Sequence, residues 1–269
     1  MRSRIGTFWY SLLLTLLLLL PMMGAVLFFA NQRQNQNRVR QVAAGRDGIA
    51  VEQGAQTTHR LLLVVQQERP GFVLLRVDGP AQQLAFCSLP GDLLVNAPVG
   101  TTTLEECAAA AGPGRCVQLL SATLATGETA LSPLQYLAAT PDCWAASFGR
   151  TAGVRLVLDG QLTELTAAGT ADFLAARQDG DTLRACLWEG FARQNPEALQ
   201  AMPAALRQNS ARTLTDLTAQ DYTALEESLA YLSAQAALTM DWMTPDTAPA
   251  PGGVQLTDTG TETLRKLLQ

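Results

Sequence analysis

Residues Phe72 to Val95 read FVLLRVDGPAQQLAFCSLPGDLLV, and the fold class follows from this stretch. One apolar run, Phe72 to Val77, meets the turn Asp78-Gly79-Pro80, and a second, Leu84 to Leu89, follows it. Gly and Pro supply turn dihedrals between two β-prone runs, so the segment predicts a hairpin. Its second strand ends in a sharp corner, Ser88-Leu89-Pro90-Gly91-Asp92. A polar loop at the tip of a buried strand is a common carrier of chemistry on a rigid scaffold.

Upstream, Leu61 to Val65 is apolar at every position, as suits a strand covered on both faces. Downstream, Thr101 to Ala111 predicts a helix, capped by Thr102 or Thr103, with Glu105 and Glu106 in its first turn. Gly112-Pro113-Gly114 breaks it, and Arg115 to Ala125 resumes helical spacing. Leu134 to Ala139 and Val154 to Leu158 read as strands around a short helix, Pro141 to Phe148. From Thr170 the chain turns helical: Ala171 to Arg177, Thr182 to Gln194, Pro196 to Gln208 and Ala219 to Ala236. Leu238 to Trp242 is strand-like, and Ala248 to Gly253 is a Pro/Gly loop. A short strand, Val254 to Leu256, and a closing helix, Thr261 to Leu268, complete the chain. This alternation predicts one layered α/β/α domain with a central mixed sheet, preceded by one N-terminal transmembrane helix.

That helix is expected at Phe8 to Ala30, an uncharged run with Trp9 and Tyr10 at an aromatic-belt position. A cleaved signal peptide is the rival. The large residues Met23 and Phe28, three positions into cut sites after Ala25 and Ala30, argue against it. The expected organisation is a cytoplasmic N-terminus (1–7), an anchor (8–30), a polar stalk (31–58) and an extracytoplasmic domain (59–269). All 24 acidic residues and 14 of the 19 basic ones lie beyond residue 40, so the domain is acidic. Nucleic acid is excluded as a partner, because its binding rests on phosphate neutralisation. The five cysteines, without a Cys-x-x-Cys, read as small core residues; in an oxidising compartment Cys107 and Cys116 are the expected pair. His59, the sole histidine, is expected to be exposed or capping, and no zinc site is expected.

A second region, LAARQDGDTLRACLWEGFARQ from Leu174 to Gln194, puts Arg177 at one helix end and Arg184 in the next helix. Asp179 and Asp181 lie in the turn between them. Two guanidinium forks around a turn can converge on one phosphate, although Arg beside Asp at a helix end is more often a surface ion pair. Arg76, inside its strand, either faces solvent or joins them. Trp188, Phe191 and Tyr231 read as core, or as the wall of an apolar tunnel.

From Leu61 to Gln269 the order of these pieces resembles the LytR-CpsA-Psr family. Its members attach polyprenyl-pyrophosphate-linked glycopolymers to peptidoglycan in Gram-positive bacteria. The family has a membrane anchor, a strand pair ending in a Ser-Ile-Pro-Arg-Asp corner, and a helix-turn-helix block with closely spaced arginines. The resemblance implies catalytic roles for Arg177, Arg184 and Asp92, and substrate contacts from Arg76, Arg177 and Arg184. Departures are as informative. Gly91 stands where the family has the corner arginine that contacts pyrophosphate. Arg69-Pro70-Gly71 stands where it has its metal-holding aspartate, with Glu68 nearby. Leu187 and Trp188 replace a later Arg and Gln. Each missing charge-assisted contact costs on the order of 2–4 kcal/mol of transition-state stabilisation.

Three functions remain in view. The first is a protein of envelope assembly that binds a polyprenyl-phosphate-linked or wall glycopolymer with weak or no catalysis, with no assigned metal. The second is an active phosphotransferase in which Arg76, Arg177 and Arg184 share one pocket, with Mg²⁺ near Asp92 or Glu68. The third is a membrane-tethered interaction domain without an apolar cleft.

Overall fold

A computed structural model describes residues 54–125 and 132–269. The expected anchor and most of the stalk lie outside the described residues, among which no helix is long and apolar enough to cross a membrane. The hairpin forms as β2 (Gly71–Asp78) and β3 (Gln83–Leu89), paired antiparallel, with β1 (Thr58–Val65) antiparallel to β2. The Asp78 carboxylate locks the turn by accepting the Ala81 N–H at 3.0 Å.

From the corner the chain runs through a small ribbon, β4 (Leu94–Asn96) and β5 (Thr101–Thr103), into α1 (Leu104–Ala111) and α2 (Pro113–Leu124). Next come β6 (Gln135–Ala139), α3 (Pro141–Phe148) and a second ribbon, β7 (Gly153–Leu158) with β8 (Gln161–Thr166). The helical half comprises α4 (Thr170–Ala175), α5 (Gly180–Gln194), α6 (Pro196–Gln208) and α7 (Ala219–Ser233), with β9 (Thr213–Thr215) between the last two. The chain closes with β10 (Thr239–Met243), the β11–β12 pair (Thr247–Ala250, Gly253–Leu256) and α8 (Asp258–Leu268).

The main sheet has the order β10-β3-β2-β1-β6-β9 and is mixed: β10–β3 and β1–β6 are parallel pairs, the others antiparallel. Its central strands are apolar at nearly every position because both faces are covered. Leu61, Leu63, Val73, Leu75 and Phe86 pack against α3 to α7. Leu62, Val64, Leu74 and Cys87 pack against α1, α2 and α8. Side chains alternate across the sheet, so the two cores are separate.

Several expectations change. Thr101 to Thr103 is a strand, and only Thr103 caps α1, in a capping box with Glu106. The Pro/Gly loop at Ala248 lies largely in β11, which pairs across a turn at Gly252. Cys107 and Cys116 are neighbouring, buried free thiols, and burial and then the neighbouring thiol raise Cys116 above the ordinary range. His59 is buried, not exposed: it meets the Ser228 hydroxyl at 3.0 Å and ties β1 to α7.

Candidate functional site

The site forms where the corner meets the start of α5. Ser88, fully buried, reaches across from β3: its hydroxyl accepts the Ala185 N–H at 2.7 Å and donates to the Thr182 carbonyl at 3.2 Å. One side of the corner is thereby fixed to the helix that carries Arg184. On the other side, the Glu105 N–H of α1 donates to the Gly91 carbonyl at 2.8 Å.

Arg184 is the centre of the arrangement. Its side chain is 5% exposed, and its Nη2 donates to the Asp181 carboxylate at 3.1 Å. Asp181 also accepts the Gly91 N–H at 3.2 Å. The guanidinium lies against the backbone of Gly71, where a Cβ would come within 2.1 Å of Arg184 Cζ. A missing side chain therefore makes its seat. The Arg184 Nε–H is buried and has no hydrogen-bond partner among the described residues. Leaving a buried donor unmade costs about 1–3 kcal/mol, more for a charged group.

Arg184 lines an open cleft between the end of β1 and helices α3, α4 and α5. Its walls are apolar: Val65, Trp144, Phe148, Leu174, Trp188 and Phe191. Trp188 packs edge-on against Trp144 at 4.7 Å and Phe148 at 5.3 Å between ring centroids. Trp188 and Phe191 thus serve both as core and as cleft wall.

The other candidate residues lie elsewhere. Arg177 is absent from the cleft lining among the described residues, and it is gripped by two carboxylates. It donates to Asp179 at 2.6 Å and to Asp159, at the tip of the β7–β8 ribbon, at 2.9 Å. Asp179 first, then Asp159, hold its charge above even the usual guanidinium range. Arg76 shares the sheet face of Phe72 and Leu74, opposite the cleft. There it pairs with Asp78 and donates to the Lys266 carbonyl of α8 at 2.8 Å. The expectation of three arginines in one pocket is corrected accordingly: strand alternation turns Arg76 away, and Arg177 is spent on the ribbon. Asp92 is exposed, and its backbone carbonyl receives the Val254 N–H at 3.0 Å.

Mg²⁺ does not fit the residues present. Among the described residues, no three acidic, histidine or cysteine side chains come together. A carboxylate at position 71 would collide with the Arg184 guanidinium already there. Asp181 is engaged by Arg184, and Glu68 and Asp92 are both exposed. Gly91 is flanked instead by acids: a Cβ there would lie 3.4 Å from Glu105 Oε2 and 3.8 Å from Asp181 Oδ2. Sequence reading found Arg184 and the corner but missed Gly71, Glu105 and the link from Asp159 to Arg177. Asp159-Gly160 is a turn signal in the sequence, yet nothing local ties it to Arg177.

No family model and no curated protein sequence matches the chain. Solved structures do. Bacillus subtilis TagT aligns at 16% identity over 80% of this chain and 91% of its own, with a TM-score of 0.55. The domain shares the fold of TagT. A protein of Eubacterium siraeum DSM 15702, grouped with transcription regulators, aligns at 16% identity over 78% and 91%, TM-score 0.61. The transcriptional regulator yvhJ of B. subtilis aligns at 13% identity over 80% and 96%, TM-score 0.56. At these identities the likeness to TagT and the others is one of fold.

Proposed function

We propose that the chain is a membrane-anchored protein of cell-envelope assembly. It binds a polyprenyl-phosphate-linked or wall glycopolymer outside the cytoplasm, with weak or no transfer chemistry. The observation that carries this reading is Arg184: a buried cation with an unpaired N–H, set in an aromatic cleft. Such a site suits a ligand with an apolar tail and an anionic head. TagT, which shares the fold, has been solved bound to LI-WTA and LIIa-WTA. The uncharged run from Phe8 to Ala30 supports the anchor.

What these residues do follows from their charges. Arg184 neutralises and orients one phosphate, and the apolar walls take the tail. Transfer would need further donors on the charge that develops as the phosphate bond breaks. Gly91 and Leu187 offer none, Trp188 offers no charge, and Arg177 is held by Asp179 and Asp159. Each absent donor is worth about 10²–10³ in rate. The distance of Arg76 from the cleft, on the other sheet face, weighs against an active transferase built from three arginines.

The test is extraction of the full chain purified from its membrane, with mass spectrometry of the bound lipid. A polyprenyl phosphate should accompany the wild type and be depleted in Arg184→Gln. In a second arm the protein is incubated with a polyprenyl-pyrophosphate substrate and Mg²⁺. Robust phosphate-bond cleavage, abolished by Arg184→Ala, would sink the weak-catalysis reading.

A further inference from the structure

We infer that the cleft selects a polyprenyl monophosphate over the corresponding pyrophosphate, and does so without a divalent cation. The inference rests on the lipid-binding reading above and specifies its ligand.

Arg184 is the sole charged residue of the cleft lining among the described residues, and Asp181 already offsets part of it. A single guanidinium carries one positive charge, already shared with Asp181, and so balances one phosphate at most. A second phosphate must extend in some direction from the first. Toward the corner it meets Asp181 and Glu105, which flank Gly91 with carboxylates rather than donors. Away from the corner it meets Trp188, Phe148 and Leu174, where an anion is desolvated without compensation. Arg177 cannot turn to help without abandoning Asp179 and Asp159. A phosphate monoester carries about −1.5 to −2 near neutral pH, and a diphosphate adds charge that nothing here balances. The apolar tail is accommodated as before, since the aromatic wall is unaffected by the head. In a reaction sequence this ligand is what remains when a phosphoryl-linked polymer leaves a lipid pyrophosphate, so the protein would act after such a transfer.

The test titrates the full chain, in nanodiscs, with geranylgeranyl monophosphate, geranylgeranyl pyrophosphate and geranylgeraniol, each with Mg²⁺ and with EDTA. Fluorescence of Trp144 and Trp188, in the cleft wall, reads binding. The monophosphate should bind about tenfold more tightly than either competitor, with no change on chelation. Arg184→Gln should bring the monophosphate down to the level of the alcohol, whose own affinity stays. Glu105→Gln with Asp181→Asn should narrow the gap between mono- and pyrophosphate, and this variant keeps Arg184. Equal or tighter pyrophosphate binding, a requirement for Mg²⁺, or equal binding of the alcohol overturns the inference and leaves the lipid cleft standing. Binding of none of the three overturns both.

Discussion

Gly71 and Gly91 lie near one site and act in opposite senses. Gly71 makes room for a cation, whereas Gly91 leaves a gap between acids. Gly71→Ala should push the Arg184 guanidinium off its seat and weaken phosphate binding much as Arg184→Gln does. Equilibrium binding of geranylgeranyl monophosphate to the variant checks it. His59 gives a second prediction at this scale. Burial lowers its pKa from the ordinary 6.5, and the Ser228 hydroxyl, whose proton goes to the Ala224 carbonyl, accepts from the ring. The unfolded chain therefore takes up the proton first as pH falls. The stability from neutral His59 is fully present above 6.5 and is lost below it, toward the lower folded value. Because it is the sole histidine, unfolding midpoints at pH 7.5 and 5.5 should differ in the wild type, and this part of the difference should vanish in His59→Gln. Sequence reading expected His59, at the end of the polar stalk, to be exposed or capping. Its partner lies 169 residues away, and no local pattern carries that.

At the scale of elements, α5 does most of the organising: it supplies Arg184, Trp188 and Phe191 to the cleft and Ala185 and Leu187 to the core. Truncating Trp188 to Ala should cost about 3–5 kcal/mol, read from denaturant midpoints, because both Trp144 and Phe148 lose an edge-on neighbour. The β7–β8 ribbon is held at its tip by the Asp159–Arg177 contact. Asp159→Asn should speed amide exchange in that ribbon, yet leave monophosphate affinity in place, because Arg177 does not line the cleft. Loss of binding in this variant would contradict the division of labour between the two arginines. The hairpin, β1, α2, α3 and the run from α5 to α7 were legible, since their periodicity and caps are strong local signals. Both ribbons' second strands and β9 were not. The segments are short, and Gln161 to Thr166 is mostly polar because one of its faces meets solvent.

For the whole molecule, the sheet divides labour between its faces. Opposite the cleft, Arg60 and Arg76 face each other across β1 and β2 and bind the carbonyls at the end of α8. Arg76→Ala should lower stability by about 1.5–3 kcal/mol, the worth of a charged hydrogen bond, without altering affinity in the cleft. Thermal unfolding and ligand titration of the same sample separate the two effects. The layered architecture was readable because alternation of strands and helices permits few arrangements. The charge balance of the site was not, because it depends on which carboxylate reaches which arginine. The bond between Ser88 and Ala185 has a consequence in time. That amide can meet deuterium only when strand and helix part, so it should exchange at the rate of global opening. The corner, although a loop, is then among the slowest clocks in the domain.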